Sequence, residues 1–285
     1  MTSKTKDKKR LFKNAGFNSV GWGISICINL VATPYLVHRM GLELYGTYIL
    51  LMTLLGMAAL LDFGFAQTVT KYSAEEGLGA QQPRTAQVLC LGICVQICVG
   101  LIAVALLTRF SGEILQVLKI PPALIEEGKG ALTFFAWAFL VQLMANMFIS
   151  VLRGKQRYDI SAVLVTSSNL LITLIAVGII ARGQGIVEIG MWTLGVVIVT
   201  FLCSLVLVSH FVPRWYGQVS LNREMSMPMV KYGLFTSITN FAGFCSTHLI
   251  RISLGAILGP VAVSTYAVVM KLINAAQGFL QAVVS

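Results

Sequence analysis

Eight apolar stretches, each about twenty residues long, constrain this chain more than any other feature of its sequence. They cover about 14–37, 45–70, 85–107, 130–152, 160–181, 189–212, 231–254 and 262–284. A helix that crosses a bilayer needs roughly 20 mostly apolar residues, and lipid offers no partner for backbone polar groups, which favours helices. Because 56% of the residues are hydrophobic and only 11% are charged, we predict an all-α, polytopic membrane protein with about eight transmembrane helices.

The basic residues predict which side of the membrane each loop faces. If the N-terminus is cytoplasmic, the inner segments hold 14 Lys and Arg and the outer segments hold 6, while Lys271 lies inside a span. Cytoplasmic loops carry such an excess, so the net charge of +10 follows from topology and does not indicate nucleic-acid binding. The basic stretch 1–13 precedes an apolar run that is too long for a signal peptide and lacks a cleavage site. We therefore expect an uncleaved first span with a basic cytoplasmic N-terminus.

Two parts of the chain are related by a constant shift in residue number, which brings Leu36–Leu54 onto Leu254–Leu272 and which we call the repeat shift. It pairs 11 identical residues over residues 13–58, including Gly41 with Gly259 and Tyr48 with Tyr266. Such self-similarity indicates a duplicated unit. Six spans separate the copies, so both enter the membrane in the same direction, which predicts parallel repeats with a binding site near the midplane between them.

The repeat also predicts the domain organisation. Residues 14–212 form a six-helix N-terminal lobe, 213–230 form a cytoplasmic linker, and 231–285 form the first two helices of an incomplete C-terminal lobe. Because the second copy is short, we expect the chain to be a fragment of a protein of twelve or more spans.

Two shorter patterns lie at the predicted membrane surfaces. In the outer connection, Ile114, Leu115 and Leu118 share one helical face, with Ser111 as a cap and Pro121 as a stop; an interfacial helix and an ordinary loop both remain open. At the inner surface, residues 152–159 place three cations and an aromatic residue where they can anchor a helix or meet lipid phosphates.

Three ionisable residues inside spans are candidates for function, because a charge in a span costs about 2.5–3.5 kcal/mol and usually faces a cavity or a partner. Lys271, near the midplane, is predicted to bind an anionic group in the cavity, with a structural pairing as the alternative. Arg251, near the outer end of its span, suits a phosphate or the lipid headgroups. Asp62 suits a coupling proton or cation, or an ion pair with an arginine of the lobe.

The remaining polar residues of the spans give weaker predictions. Asn29 and Asn146 are candidates for glycan contacts, although hydrogen bonds between helices are the default for mid-span amides such as these and Asn169. His38 and His248 have no metal-like companions and are interpreted as interfacial. The six cysteines lie within apolar runs, where they fit packing between helices rather than disulfides or a metal site. No metal and no cofactor are expected.

Three motifs give the chain a resemblance to a known family. LLDFGFAQTVTKYSAE (residues 60–75), IPPALIEE (120–127) and LRGKQRYD (152–159) resemble the polysaccharide transporter branch of the multidrug/oligosaccharidyl-lipid/polysaccharide flippase superfamily, and the chain is similar to bacterial O-antigen flippases. The resemblance implies two lobes of six spans that move undecaprenyl-pyrophosphate-linked oligosaccharide across the inner membrane. It also implies glycan polymerases and other assembly proteins as partners. The short second lobe departs from this pattern.

These observations leave several functions open. The leading hypothesis is a flippase for a lipid-linked oligosaccharide that works by alternating access. A cation-coupled drug or metabolite exporter of the same superfamily is the alternative within the fold, and the basic Lys271 and Arg251 favour an anionic head group over it. A membrane glycan-processing enzyme would need a convergent acid, base or nucleophile set, which the short outer loops do not offer, so the chain is not expected to be an enzyme. A non-transporting remnant also remains open.

Overall fold

The computed structural model describes the backbone of residues 2–57, 61–76, 83–211 and 223–284, with side chains mainly over 25–57, 61–76, 84–210, 235–245 and 248–277. The helices are α1 (Thr2–Gly56), α2 (Phe65–Glu76), α3 (Pro83–Arg109), α4 (Ser111–Val117), α5 (Pro122–Gly154), α6 (Tyr158–Ala181), α7 (Ile186–Phe211), α8 (Arg223–Phe244), α9 (Ile250–Leu258) and α10 (Pro260–Val284). A π-helical segment, Cys245–Leu249, joins α8 to α9. The described residues contain no strand, and the predicted all-α membrane fold is confirmed.

Four of the described helices are long and apolar enough to cross a membrane: Arg84–Arg109, Pro122–Gly154, Tyr158–Ala181 and Ile186–His210. They correspond to the third to sixth predicted spans. The second of these four helices begins earlier than predicted, because Pro122 occupies the first turn of α5, where the missing N–H of a proline has no helical partner to lose.

The two copies of the repeat bend at equivalent glycines. Within α1, Gly41 has φ 76° and ψ 166°, and it divides the helix into two arms, 2–40 and 42–56. Gly259 has φ 84° and ψ −178° and separates α9 from α10. This backbone region is essentially restricted to glycine. The repeat shift therefore relates two corners of the same conformation, as the duplication predicts.

The second predicted span is wrong as a single helix over 45–70. The second arm of α1 ends at Gly56, and after residues 58–60, which lie outside the described part, the chain turns at 62–64 before α2 begins. Phe63 (φ 49°) and Gly64 (φ 71°) both have positive φ, which a continuing right-handed helix cannot accommodate. Asp62 accepts a hydrogen bond from the backbone N–H of Ala66 at 3.0 Å and so caps the start of α2.

The core of the N-terminal lobe is built around α5. This helix packs against α7, α3, α2 and α1, and Phe135, Phe139 and Phe148 on it are almost fully buried. Helices α3, α6 and α7 instead carry outward apolar side chains, such as Ile102 (60% exposed), Val163 (57%) and Val206 (69%). An apolar outer surface of this kind suits a helix bundle surrounded by lipid.

Smaller predictions have mixed outcomes. The outer connection is helical, as α4, and buries Leu115 against the lobe, but Phe110 rather than Ser111 precedes its first turn and no side chain caps it. The backbone of residues 2–13 continues α1, whereas the basic side chains there lie outside the described part. Residues 213–222 of the predicted linker also lie outside it, and 223–230 belong to α8. All six cysteines are free.

Candidate substrate site

Lys271 lies where α10 meets the bend of α1. Its ammonium group donates to Thr33 Oγ1 at 2.9 Å and to Tyr45 Oη at 3.3 Å, and Nζ lies 5.9 Å from the centre of the Tyr45 ring. Thr33 belongs to the first arm of α1 and Tyr45 to the second, and both are buried. The side chain therefore points into the contact between the two lobes rather than into lipid.

Arg251 of α9 faces the same region. Its charge acts on both Lys271 and Tyr45, and its Nε is buried without a hydrogen-bond partner among the described residues. None of the ion pairs formed by the described residues involves Lys271 or Arg251. Two cations that share a region without an ion-paired carboxylate create a positive potential, which attracts an anion more strongly here than in bulk water.

His248 lies three residues before Arg251, whose charge acts on it. It lies in the π-helical segment, stacks on Phe244 with ring centroids 5.3 Å apart, and has a buried Nδ1 without a described partner. A Cβ on Gly56 of α1 would overlap the imidazole Cε1, so the glycine makes room for the ring. We call Thr33, Tyr45, His248, Arg251 and Lys271 the interlobe site.

The interlobe site is asymmetric with respect to the repeat. The repeat shift pairs Thr33 with Arg251 and Thr53 with Lys271. Thr53 is buried and donates to the carbonyl oxygen of Ile49 in its own helix. Both cations therefore come from the second copy, while the first copy supplies neutral hydroxyl groups at the equivalent positions.

The structure does not bring Asp62 into the interlobe site. Its carboxylate is 4% exposed and accepts from the Ala66 N–H and from Gln96 Nε2, the latter at 3.0 Å. The predicted ion pair with an arginine is absent from the part of the chain that the structure describes. A coupling role for Asp62 remains a prediction.

The two candidate glycan contacts have local partners. Asn29 Nδ2 donates to the carbonyl oxygen of Ser25 at 2.8 Å, and the Asn29 carbonyl accepts from Thr33 Oγ1 at 2.6 Å, so Asn29 lies one helical turn from the interlobe site. Asn146 Oδ1 accepts from Gln142 Nε2 at 2.9 Å within α5. Glycan binding by either residue remains a prediction.

Sequence reasoning missed Thr33 and Tyr45, and it interpreted His248 as interfacial. Thr33 could have been found from the sequence, because the repeat shift pairs it with the candidate residue Arg251. No local sequence pattern predicts the π-helical segment Cys245–Leu249 that positions His248. Such segments are frequent at functional sites.

Solved structures with the same fold are transporters. An inward-facing multidrug resistance MATE family transporter of the MOP superfamily matches with TM-score 0.64 and 15% identity over 85% of this chain and 56% of that chain. A MATE in complex with MaD3S matches with TM-score 0.62 and 16% identity over 95% and 69% of the two chains. A MOP superfamily transporter from Pyrococcus furiosus, described as having a binding pocket of reverse polarity, matches with TM-score 0.62 and 14% identity over 95% and 68%.

These structural similarities establish the fold of the chain, and a match to a family model establishes the family to which it belongs. This chain spans 56% of the length of the first of these structures. Among curated proteins, none matches the chain. The family model described as polysaccharide biosynthesis protein matches residues 11–285. The chain therefore belongs to the polysaccharide biosynthesis protein family, and it has the helical fold of the MOP superfamily of membrane transporters.

Proposed function

We propose that this chain forms the substrate-binding part of a flippase that moves an undecaprenyl-pyrophosphate-linked oligosaccharide across the bacterial inner membrane. The observation that carries the proposal is the pair of cations at the lobe boundary, Lys271 and Arg251, with the buried Arg251 Nε lacking a described acceptor. A pyrophosphate offers the acceptor oxygens that such a site needs, and charge-assisted hydrogen bonds are about twice as strong as neutral ones.

The proposed mechanism is alternating access. The pyrophosphate binds at the interlobe site, the glycan crosses in the gap between the lobes, and the polyprenyl tail stays in lipid. Rocking of the lobes about the site then exposes it to one side and the other. The basic N-terminus is proposed to be cytoplasmic, and glycan polymerases and other assembly proteins are proposed partners. Family membership supports the link to polysaccharide synthesis.

The test measures binding and translocation separately in the same preparation. Purified chain is reconstituted in vesicles with a radiolabelled lipid-linked oligosaccharide, and affinity and movement between leaflets are measured for wild type, Lys271→Met and Arg251→Met. A lost hydrogen bond to a charged group is worth about 1.5–3 kcal/mol, so we expect each substitution to weaken binding roughly 10-fold to 100-fold. Lys129→Met is the control, because Lys129 is exposed and pairs with Glu126; affinity equal in all variants refutes the site.

The same assay separates the competing functions. The MATE likeness favours a cation-coupled exporter as the second candidate, and a positively charged site is expected to repel cationic drugs. Dye efflux from the vesicles without movement of the lipid-linked glycan would support the exporter instead. Chemical turnover of the lipid-linked glycan in detergent, where no second compartment exists, would support a glycan-processing enzyme.

A further inference from the structure

The turn between α1 and α2 contains a buried carboxylate that the interlobe site does not use. Asp62 is 4% exposed. Its Oδ2 accepts from the Ala66 N–H at 3.0 Å, and its Oδ1 accepts from Gln96 Nε2 at 3.0 Å and from the same Ala66 N–H at 3.3 Å. The carboxylate therefore has one close backbone donor and one donor that belongs to a rotatable side-chain amide.

Gln96 on α3 points its amide into this turn and leaves one atom unsatisfied. The residue is fully buried, and its Oε1 has no hydrogen-bond partner among the described residues. Nε2 donates to the carbonyl oxygen of Asp62 as well as to its carboxylate. That carbonyl also accepts from the Phe65 N–H at 3.0 Å, so it keeps a donor when the amide turns over.

An amide beside a carboxylate can serve both protonation states. With Asp62 ionised, Nε2 donates to the carboxylate and Oε1 is unpaired. With Asp62 protonated, the amide turns over, so that Oε1 accepts a hydrogen bond from the acid O–H and Nε2 is left without a partner. Each state leaves one polar group of the amide unpaired. The charge-assisted hydrogen bonds favour the ionised carboxylate, whereas its burial favours the neutral acid. Glu76 differs, because its two oxygens accept from the fixed backbone N–H groups of Arg84 and Thr85.

We propose that Asp62 and Gln96 form a proton-binding site, in which Asp62 takes up one proton from water and the Gln96 amide turns over to accept it in a hydrogen bond. The donor is hydronium of the aqueous phase, which leaves as water: one O–H bond breaks on hydronium, one forms on the carboxyl group, and no group is oxidised or reduced. A proton suits the site better than a metal ion, since Ca²⁺ takes 6–8 oxygen ligands and the described residues contain no cluster of three metal-ligating side chains.

The surroundings of Asp62 contain no other described charge that acts on it. From α5, the apolar Phe139 and Leu143 pack against the neighbouring Leu61. From α3 the facing group is Gln96, and from α8 it is the backbone of Gly233, which approaches Gly64. The side chain of Lys231 of α8 lies outside the described part of the chain, and the variant Lys231→Met tests whether its charge acts on Asp62.

Asp62 lies where its protonation would affect the contact between the lobes. A neutral Asp62 interacts less favourably with the start of α2, because the N-terminus of a helix favours negative charge. Close by, a Cβ on Gly64 would overlap the Gly233 carbonyl oxygen, and Gln67 Nε2 donates to Asn240 Oδ1 at 3.0 Å. Proton uptake at Asp62 therefore acts on the segment of α2 that touches the second lobe.

The experiment follows the two side chains directly, without substrate. The chain is labelled with ¹³C at the Asp carboxyl and ¹⁵N at the Gln side-chain amide and studied by solid-state NMR in bilayers. The sequence has three aspartates, Asp7, Asp62 and Asp159, so the carboxyl spectrum has few signals. Asp62→Asn assigns the Asp62 signal while keeping a good helix cap. If that variant fails to fold, Asp7→Asn and Asp159→Asn assign the signal by elimination. Gln96→Met assigns the amide.

We expect the Asp62 carboxyl signal to titrate and the Gln96 amide signal to move with the same midpoint. The matched control Glu76→Gln is expected to leave both titrations unchanged. An Asp62 signal that stays constant over the pH range in which the protein is folded overturns the proposal, as does a titration that the Gln96 amide does not follow. Lys231→Met is expected to leave the midpoint in place; a rise of about 1–3 pH units would instead reveal an ion pair. Because no substrate is present, these outcomes do not depend on the flippase assay.

Discussion

At the scale of single residues, a half-buried lysine, Lys271, and a buried one, Lys155, are held in different ways. Lys271 is held by the hydroxyl groups of Thr33 and Tyr45 across a lobe boundary. Lys155, which is 6% exposed, follows the end of α5 and donates to the carbonyl oxygen of Ser73 at 3.2 Å. Since Ser73 lies in the last turn of α2, Lys155 joins the ends of two helices, and the carbonyl there favours a cation.

Replacing Lys155 by methionine tests this anchor. We expect Lys155→Met to lower the free energy of unfolding by about 1–3 kcal/mol, because the buried Ser73 carbonyl loses its donor. Thermal or denaturant unfolding in micelles measures the change. Lys129→Met is the matched control, because its exposed ion pair with Glu126 is worth about 0–1 kcal/mol. Equal losses in the two variants would contradict a special role for Lys155.

The difference in the free energy of unfolding between wild type and Lys155→Met is expected to depend on pH. Burial lowers the pKa of Lys155 below its ordinary value of 10.5, and the Glu76 carboxylate partly opposes this. When the folded-state pKa is the lower one, the unfolded chain binds more protons between the two values, and stability rises with pH there. The stability of wild type relative to Lys155→Met should therefore increase as the pH rises through the lowered pKa towards 10.5.

At the scale of elements, close backbone contacts decide how α1 meets the second copy. A Cβ on Gly46 would overlap the carbonyl oxygen of Pro260, the first residue of α10. Nearby, Lys119 Nζ donates to the Ile257 carbonyl at 2.7 Å, at the end of α9. These contacts join the N-terminal lobe to the corner formed by Gly259, and a backbone oxygen cannot move aside as a flexible side chain can.

Adding one methyl group at Gly46 tests this contact. We expect Gly46→Ala to lower the free energy of unfolding by about 1–3 kcal/mol, because the methyl group meets a backbone oxygen and forces α1 and α10 apart. The matched control is Gly178→Ala in α6, where a Cβ would have nothing within 4 Å; there alanine is expected to stabilise the helix by up to about 1 kcal/mol. Unfolding curves of the two variants that coincide would contradict the predicted contact.

At the scale of the whole molecule, the duplicated corners and the unequal charges of the two copies are the main features. Gly41 and Gly259 repeat one backbone conformation at positions that the repeat shift pairs. The charges that define the interlobe site are present in the second copy alone, at the positions of Thr33 and Thr53 in the first. The repeat thus supplies the framework, and the differences between its copies supply the electrostatics.

The equivalence of the two corners can be measured. We expect Gly41→Ala and Gly259→Ala each to cost about 1–3 kcal/mol of stability, because both glycines occupy a backbone region that alanine rarely adopts. No atom lies within 4 Å of a Cβ on Gly41, so its cost isolates the backbone effect. Gly195→Ala, a helical glycine with equally open surroundings, is the control. A neutral result at either corner would show that its conformation is not required.

The apolar runs by themselves predicted the all-helical membrane fold, and the repeat shift predicted the duplicated corner. Both rest on local properties: a span must be apolar throughout, and a glycine at positive φ acts within one turn. The candidates Lys271 and Arg251 were also visible, since a charge is conspicuous inside an apolar run.

The tertiary structure decided what those residues face and where a span is interrupted. Thr33, Tyr45 and His248 join the interlobe site because α1 packs against α9 and α10, and Asp62 and Gln96, which are far apart in the sequence, meet at the turn before α2. A hydrogen bond between distant segments leaves no periodic trace in the sequence. Hydropathy measures how strongly a residue prefers an apolar environment to water, and it therefore identifies the helices that cross the membrane. It does not specify how those helices pack, and the packing decides which partner each polar group meets.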